Sequence, residues 1–134
     1  MDIKINTGAK EFNFDGKVSI WINPTDPVFI GKMRETFQDL QKKQDEVKEK
    51  LDNAEDIFEV CVQIDAEMRE ALLKLFGKDI VTPLVGDMNV YALADGMPIW
   101  AQILISLMDG IESYVAEENE KASEKIKAYT EKYD

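Results

Sequence analysis

Over roughly the first 22 residues, apolar positions alternate with polar ones, the period of a half-buried strand. Phe12 and Phe14, then Val18, Ile20 and Ile22, fall on one face of two runs, residues 11–14 and 17–23, that flank Asp15-Gly16. Asp-Gly between two such runs is a strong signal for a two-residue hairpin. Ile3 and Ile5 alternate in residues 2–6, and Thr7-Gly8 can turn that run into a third strand. Residues 1–23 therefore read as an antiparallel hairpin or a three-strand meander. Trp21 falls on the opposite face from Ile20 and Ile22, where it is either covered by a helix or exposed at a contact site. So few strands need a helix or a second subunit to cover them.

After Asn23-Pro24-Thr25-Asp26-Pro27 the period changes. Thr25 or Asp26 can cap a helix, and Pro27 suits its first turn. From there Ile30, Met33, Phe37, Leu40, Gln44, Val47 and Leu51 recur in steps of three and four, a heptad seam with one polar member, Gln44. A turn at Asp52-Asn53-Ala54 leads into a second helix over residues 54–76. Its seam is Ile57, Cys61, Ile64, Met68, Ala71 and Leu75, widened by Phe58, Leu72 and Phe76. Two matching seams joined by a short turn predict an antiparallel helical hairpin over residues 25–76. Gly77 suits the C-terminal end of the second helix.

Residues 79–130 hold the most apolar part of the chain. Residues 79–85 predict a short helix with Pro83 in its first turn, and Asp87 or Asn89 a brief helix through Tyr91 and Ala94. From Pro98 a long helix is expected to about Tyr129. Ile99, Ile103, Leu107 and Ile111 form one row on it, and Trp100, Leu104, Met108, Ile111 and Val115 form the next. That stripe is wider than the ~100° face of an ordinary surface helix, so it needs cover on more than one side. Gly110 inside it costs about 1 kcal/mol against Ala, and close helix packing at that point is the expected reason. The fold class is α+β, mostly helical, in a single domain of 134 residues.

Composition narrows the chemistry. The chain has no histidine and a single cysteine, Cys61. Histidine-based acid–base catalysis, Ser-His and Cys-His nucleophiles, and His-containing metal sites are thereby excluded. Cys61, on a seam, is expected to be a small buried hydrophobe. The longest wholly uncharged run, residues 96–108, is 13 residues, too short to span a bilayer. Residues 1–10 lack the apolar core of a signal peptide, so a cytoplasmic location is expected. No enzyme activity, cofactor or metal is expected.

The net charge of −11 is uneven: residues 79–120 alone carry −8, with no Lys or Arg. Such a surface repels nucleic-acid backbones and favours basic or neutral protein partners, or it simply keeps an apolar protein soluble. Asp87-Met88-Asn89 opens like a calcium loop, but the sixth position is Ala92 and the twelfth Pro98, which rules it out. Asp87 and Asp95 stand beside glycines at helix breaks and read as caps rather than a carboxylate pair. Tyr91 and Trp100, with Met88, Met97 and Met108 near them in sequence, read either as core or as an adaptable binding groove, since methionine-rich surfaces re-pack around partners. The candidate partner-binding residues are therefore Trp21, Met88, Tyr91, Met97 and Trp100. A homo-oligomer is expected, through the Tyr91 and Trp100 region or a sheet edge.

Residues 23–40, NPTDPVFIGKMRETFQDL, following a short hairpin, and residues 76–100, FGKDIVTPLVGDMNVYALADGMPIW, resemble small phage and prophage proteins of Firmicutes. These are similar to tail assembly chaperones of long-tailed phages, and the likeness spans nearly the full chain. The resemblance implies a cytoplasmic, non-enzymatic protein that coats the tape measure protein, helps tail-tube subunits polymerise and then leaves. It implies no catalytic residues. Two other readings stand beside it: a different phage or host adaptor with a structural interaction role, and an acidic mimic of nucleic acid that inhibits a DNA-binding enzyme.

Overall fold

In the computed structural model, which describes residues 1–133, Asp15 and Gly16 both take left-handed backbone, φ 55° and 70°. They close β1 (Lys10–Phe14) antiparallel onto β2 (Val18–Ile22), with Phe12 opposite Ile20 and Phe14 opposite Val18. This register puts the five apolar side chains on one face, and that face packs on the core. Phe12 meets Tyr114 edge-on at 5.4 Å between ring centroids, and Phe14 meets Phe76 at 6.3 Å. The Lys78 ammonium ties the hairpin down from outside, donating to the Ser19 carbonyl at 2.7 Å.

The third strand does not form. Asn23 Nδ2 donates to the carbonyl of Thr7, and Gly8 N–H donates to Asn6 Oδ1. The arm is thus pinned beside the end of β2 rather than folded along β1, and Ile3 and Ile5 stay exposed.

Asp26 caps α1 (Pro27–Asp52), its carboxylate accepting from Val28 N–H at 3.0 Å. Asp56 caps α2 (Ile57–Phe76) through Glu59 N–H, and Gly77 ends it in the left-handed conformation. The two form the expected antiparallel hairpin. Met33, Leu40 and Val47 of α1 are buried against Ile64, Met68 and Leu72 of α2. The α2 seam is narrower than its apolar content implies. Ile57 and Phe58, at its first turn, lie exposed, and Cys61 is half-buried rather than enclosed.

Asp79 opens α3 (Val81–Val85) by accepting from the N–H groups of Val81 and Thr82. Hydrogen bonds from the Thr82 hydroxyl and then its N–H hold the Asp79 carboxyl below its usual pKa. No helix follows at Tyr91. Asp95 and Gly96 instead take left-handed backbone, φ 53° and 77°, and turn β3 (Leu93–Ala94) onto β4 (Met97–Pro98). Asp95 is therefore a turn residue, not a helix cap.

The last helix, α4 (Ile99–Tyr133), is one turn longer than expected. Both rows of its stripe are used: Trp100, Leu104, Leu107 and Ile111 are buried, as are Ala101 and Ile103. Gly110 is explained by the hairpin and not by another helix. A Cβ there would meet the Phe12 ring at 3.3 Å. Helices make up 64% of the chain, and no helix among the described residues is long and apolar enough to cross a membrane.

Candidate protein-binding surface

The loop between α3 and α4 is fastened to one face of α2 by a polar node. Asp65 and Arg69, one turn apart on α2, pair at 2.9 Å. The Arg69 guanidinium also donates to the carbonyls of Gly86 at 2.6 Å and Met88 at 2.8 Å, and to the Thr82 hydroxyl at 3.3 Å. The other Asp65 oxygen accepts from Val90 N–H at 2.8 Å, and Asn89 Nδ2 reaches the Cys61 carbonyl. A planar, five-donor guanidinium suits this task, since it meets one carboxylate and two carbonyls at fixed angles. With its backbone groups satisfied, the loop runs along α2 and buries Val90 completely.

This latch decides where the five candidate residues fall. Trp100 is only 2% exposed. It stacks edge-on with Phe37 at 5.3 Å and donates from Nε1 to Gln44 at 3.0 Å, so it belongs to the core and not to a contact surface. Tyr91 is half-buried. Burial first, and then the Cys61 side chain bonded to it, push its phenol up to about 12. Met88 and Met97 are exposed beside it in the chain. Trp21 is 64% exposed but stands elsewhere, on the outer face of the β1–β2 hairpin, whose inner face packs on Phe76 and Tyr114.

The latch holds Met88 at Arg69 and Asn89 at Cys61, so it is Asn89 that reaches toward the start of α2. Ile57, Phe58 and Val62 are exposed on its first two turns, Phe58 at 80%. Asn89 and Val90 are bonded to Cys61 and Asp65 on the next turn. Leu93 and Met97 are exposed on opposite faces of the β3–β4 hairpin, since Leu93 pairs with Pro98 and Met97 with Ala94. Residues 54–65 and 86–98 carry six acids and no Lys or Arg, so this apolar surface has an acidic rim. Sequence reasoning assigned Ile57 and Phe58 to the helical-hairpin seam. The signal that could have placed them otherwise is their position ahead of the first turn that α1 can cover, beside the Asp56 cap.

A groove between α1 and α2 is lined by Glu35, Asp39, Lys43, Glu67, Glu70 and Lys74 among others. Its apolar surface comes from Ala66, Ala71 and the stems of the charged side chains, with no large apolar side chain in the lining. Among the described residues no group of three His, Cys, Asp or Glu side chains is placed to hold a metal ion. Comparison with protein-family models, with curated proteins and with solved structures finds no match.

Proposed function

We propose that the chain is a phage or prophage tail assembly chaperone-like protein, acting in the host cytoplasm without catalysis. It holds the tape measure protein and assists tail-tube assembly. The observation that carries the binding role is the exposure of Ile57, Phe58 and Val62 on the first two turns of α2, with exposed Glu55, Asp56 and Glu59 as an acidic rim beside them. Monomeric proteins rarely leave large apolar side chains clustered in water unless another molecule covers them. The rim selects a client segment with apolar residues on one side and basic or neutral residues around them, as an amphipathic helix of a long helical protein presents. The same acidity disfavours nucleic acid as the client. The tail-assembly role itself rests on the resemblance of residues 23–40 and 76–100 to that family.

Co-expression tests this reading. With the tape measure protein of the same genome, the wild-type chain should keep the client soluble and co-purify with it. Phe58→Asp and Val62→Asp, both at exposed positions, should fold normally and lose the client. A client that stays insoluble with the wild-type chain, or binds equally well to both variants, contradicts the proposal.

A further inference from the structure

Beyond Val115, α4 leaves the body of the protein. From residue 116 to residue 132 every position is exposed except the half-buried Glu118. About 25 Å of single helix therefore stands in solvent, a length that is marginal for an isolated helix in water. Ion pairs within the helix support it: Lys121 lies 3.1 Å from Glu117 and 3.8 Å from Glu118.

The protruding half carries a pattern that its own stability does not require. Val115, Asn119, Ala122, Ile126 and Tyr129 follow one another in steps of four, three, four and three. This is a heptad seam, and Ile126 and Tyr129 on it are each 67% exposed. A large aliphatic side chain on a seam with no core beneath it is placed for another helix.

The positions flanking the seam identify that helix. On one flank stand Glu118, Lys125 and Lys132; on the other stand Ala116, Ser123 and Thr130. In a parallel pair each flank faces the opposite flank of its partner, so the charged row would meet uncharged residues. In an antiparallel pair each flank faces its own counterpart running the other way. With the two-fold axis at Lys125, Glu118 faces Lys132 of the second copy twice by symmetry and Lys125 meets its own counterpart, so the attractive pairs outnumber the like-charge one. The charge along the axis agrees. Glu117, Glu118 and Glu120 lie nearest the body, whereas residues 121–132 hold four lysines against two glutamates. Antiparallel copies also bring the acidic end of one helix beside the lysine-rich end of the other.

We infer that the protruding half of α4 is a self-association surface, pairing antiparallel about a two-fold axis with the same segment of a second copy of this chain. Two-fold pairing makes the patch self-complementary. It also places the two bodies at opposite ends of the helical pair, away from each other and from their client surfaces. The overlap is short compared with a standard interface of roughly 1,600 Å², so the dimer is reversible and concentration-dependent. The inference is independent of what the client is.

Sedimentation of the full chain over a wide concentration range tests it. The wild-type chain should dimerise, and raising NaCl from about 0.05 to 0.5 M should weaken the dimer several-fold by screening the flanking pairs. Ile126→Asp should leave a monomer whose thermal unfolding matches wild type, since Ile126 touches none of the buried core. Glu118→Lys alone and Lys125→Glu with Lys132→Glu should each weaken the dimer by about tenfold. Combining the three substitutions in one chain should restore it, because an antiparallel pair exchanges the signs on both sides. A wild-type monomer at every concentration overturns the inference. So does a dimer that tightens with salt, survives Ile126→Asp, or is not restored in the triple variant.

Discussion

The indole Nε1 of Trp100 donates to Gln44 Oε1 at 3.0 Å, and Gln44 Nε2 in turn donates to the carbonyl of Tyr91 at 3.4 Å. One side chain thus joins α1, the start of α4 and the loop that precedes it. The single polar residue on the α1 seam is the one that lets a large indole be buried without stranding its N–H. Replacing Gln44 by Leu should cost about 1–3 kcal/mol, the penalty of a buried donor left without a partner. Trp100→Phe in the Gln44→Leu background should cost less than the sum of the two single changes, because the orphaned donor is gone. Urea unfolding of the four proteins measures this, and strict additivity would show that the bond carries no energy.

Arg69 is the corresponding joint on the other side of the loop. Arg69→Ala should destabilise the protein by about 2–3 kcal/mol, because charge-assisted bonds to two carbonyls and a carboxylate are lost together. Arg69→Lys should recover little of this, since an ammonium cannot span the same acceptors. Hydrogen exchange should report the loss locally, with the Val90 amide exchanging faster than the amides of α1.

The Tyr91 phenol titrates late, pushed up to about 12 by burial and by Cys61. The folded state therefore holds this proton after the unfolded state has released it near pH 10. The contribution of Tyr91 to stability is complete below pH 10 and is lost as pH rises from there to about 12. Absorbance titration should show a late tyrosine step near pH 12. Tyr91→Phe should abolish that late step and flatten the alkaline fall in stability. A titration curve unchanged by Tyr91→Phe would contradict this.

Phe37 packs edge-on against Trp100 from the α1 seam. Phe37→Asp should cost roughly 3–5 kcal/mol, since it removes a large ring and sets a carboxylate against apolar neighbours. An unchanged melting temperature would place Phe37 outside the core.

At Gly110 the Phe12 ring leaves no room for branched side chains. Gly110→Leu should push the β1–β2 hairpin off α4 and destabilise by about 1–3 kcal/mol. The companion Phe12→Ala substitution should relieve that clash, so the double variant falls short of additivity. Strict additivity would mean that the two positions do not touch.

The heptad spacing of α1 was legible in the sequence because every member of its seam except Gln44 is apolar, and Asp15-Gly16 was legible because alternating runs stand on both sides. Asp95-Gly96 is the same dipeptide in the same backbone conformation, but its strands are two residues each, too short to show any alternation. The exposure of Ile57 and Phe58 was hidden for a different reason. Periodicity says which residues share a face; it does not say where along a helix the covering element stops. Trp100 was ambiguous until Gln44 was seen to reach it across 56 residues. The Arg69 latch was invisible because its main partners are backbone carbonyls, which no side-chain pattern encodes. The surface proposed for the client is thus built from residues whose identities were readable and whose grouping was not.

Hydrogen exchange on the full chain, with and without a soluble helical segment of the tape measure protein, tests the central claim most directly. New protection is expected over residues 57–62, with the amides around Trp21 unchanged. Protection at Trp21 alone, along the α1–α2 concavity, or nowhere would contradict it.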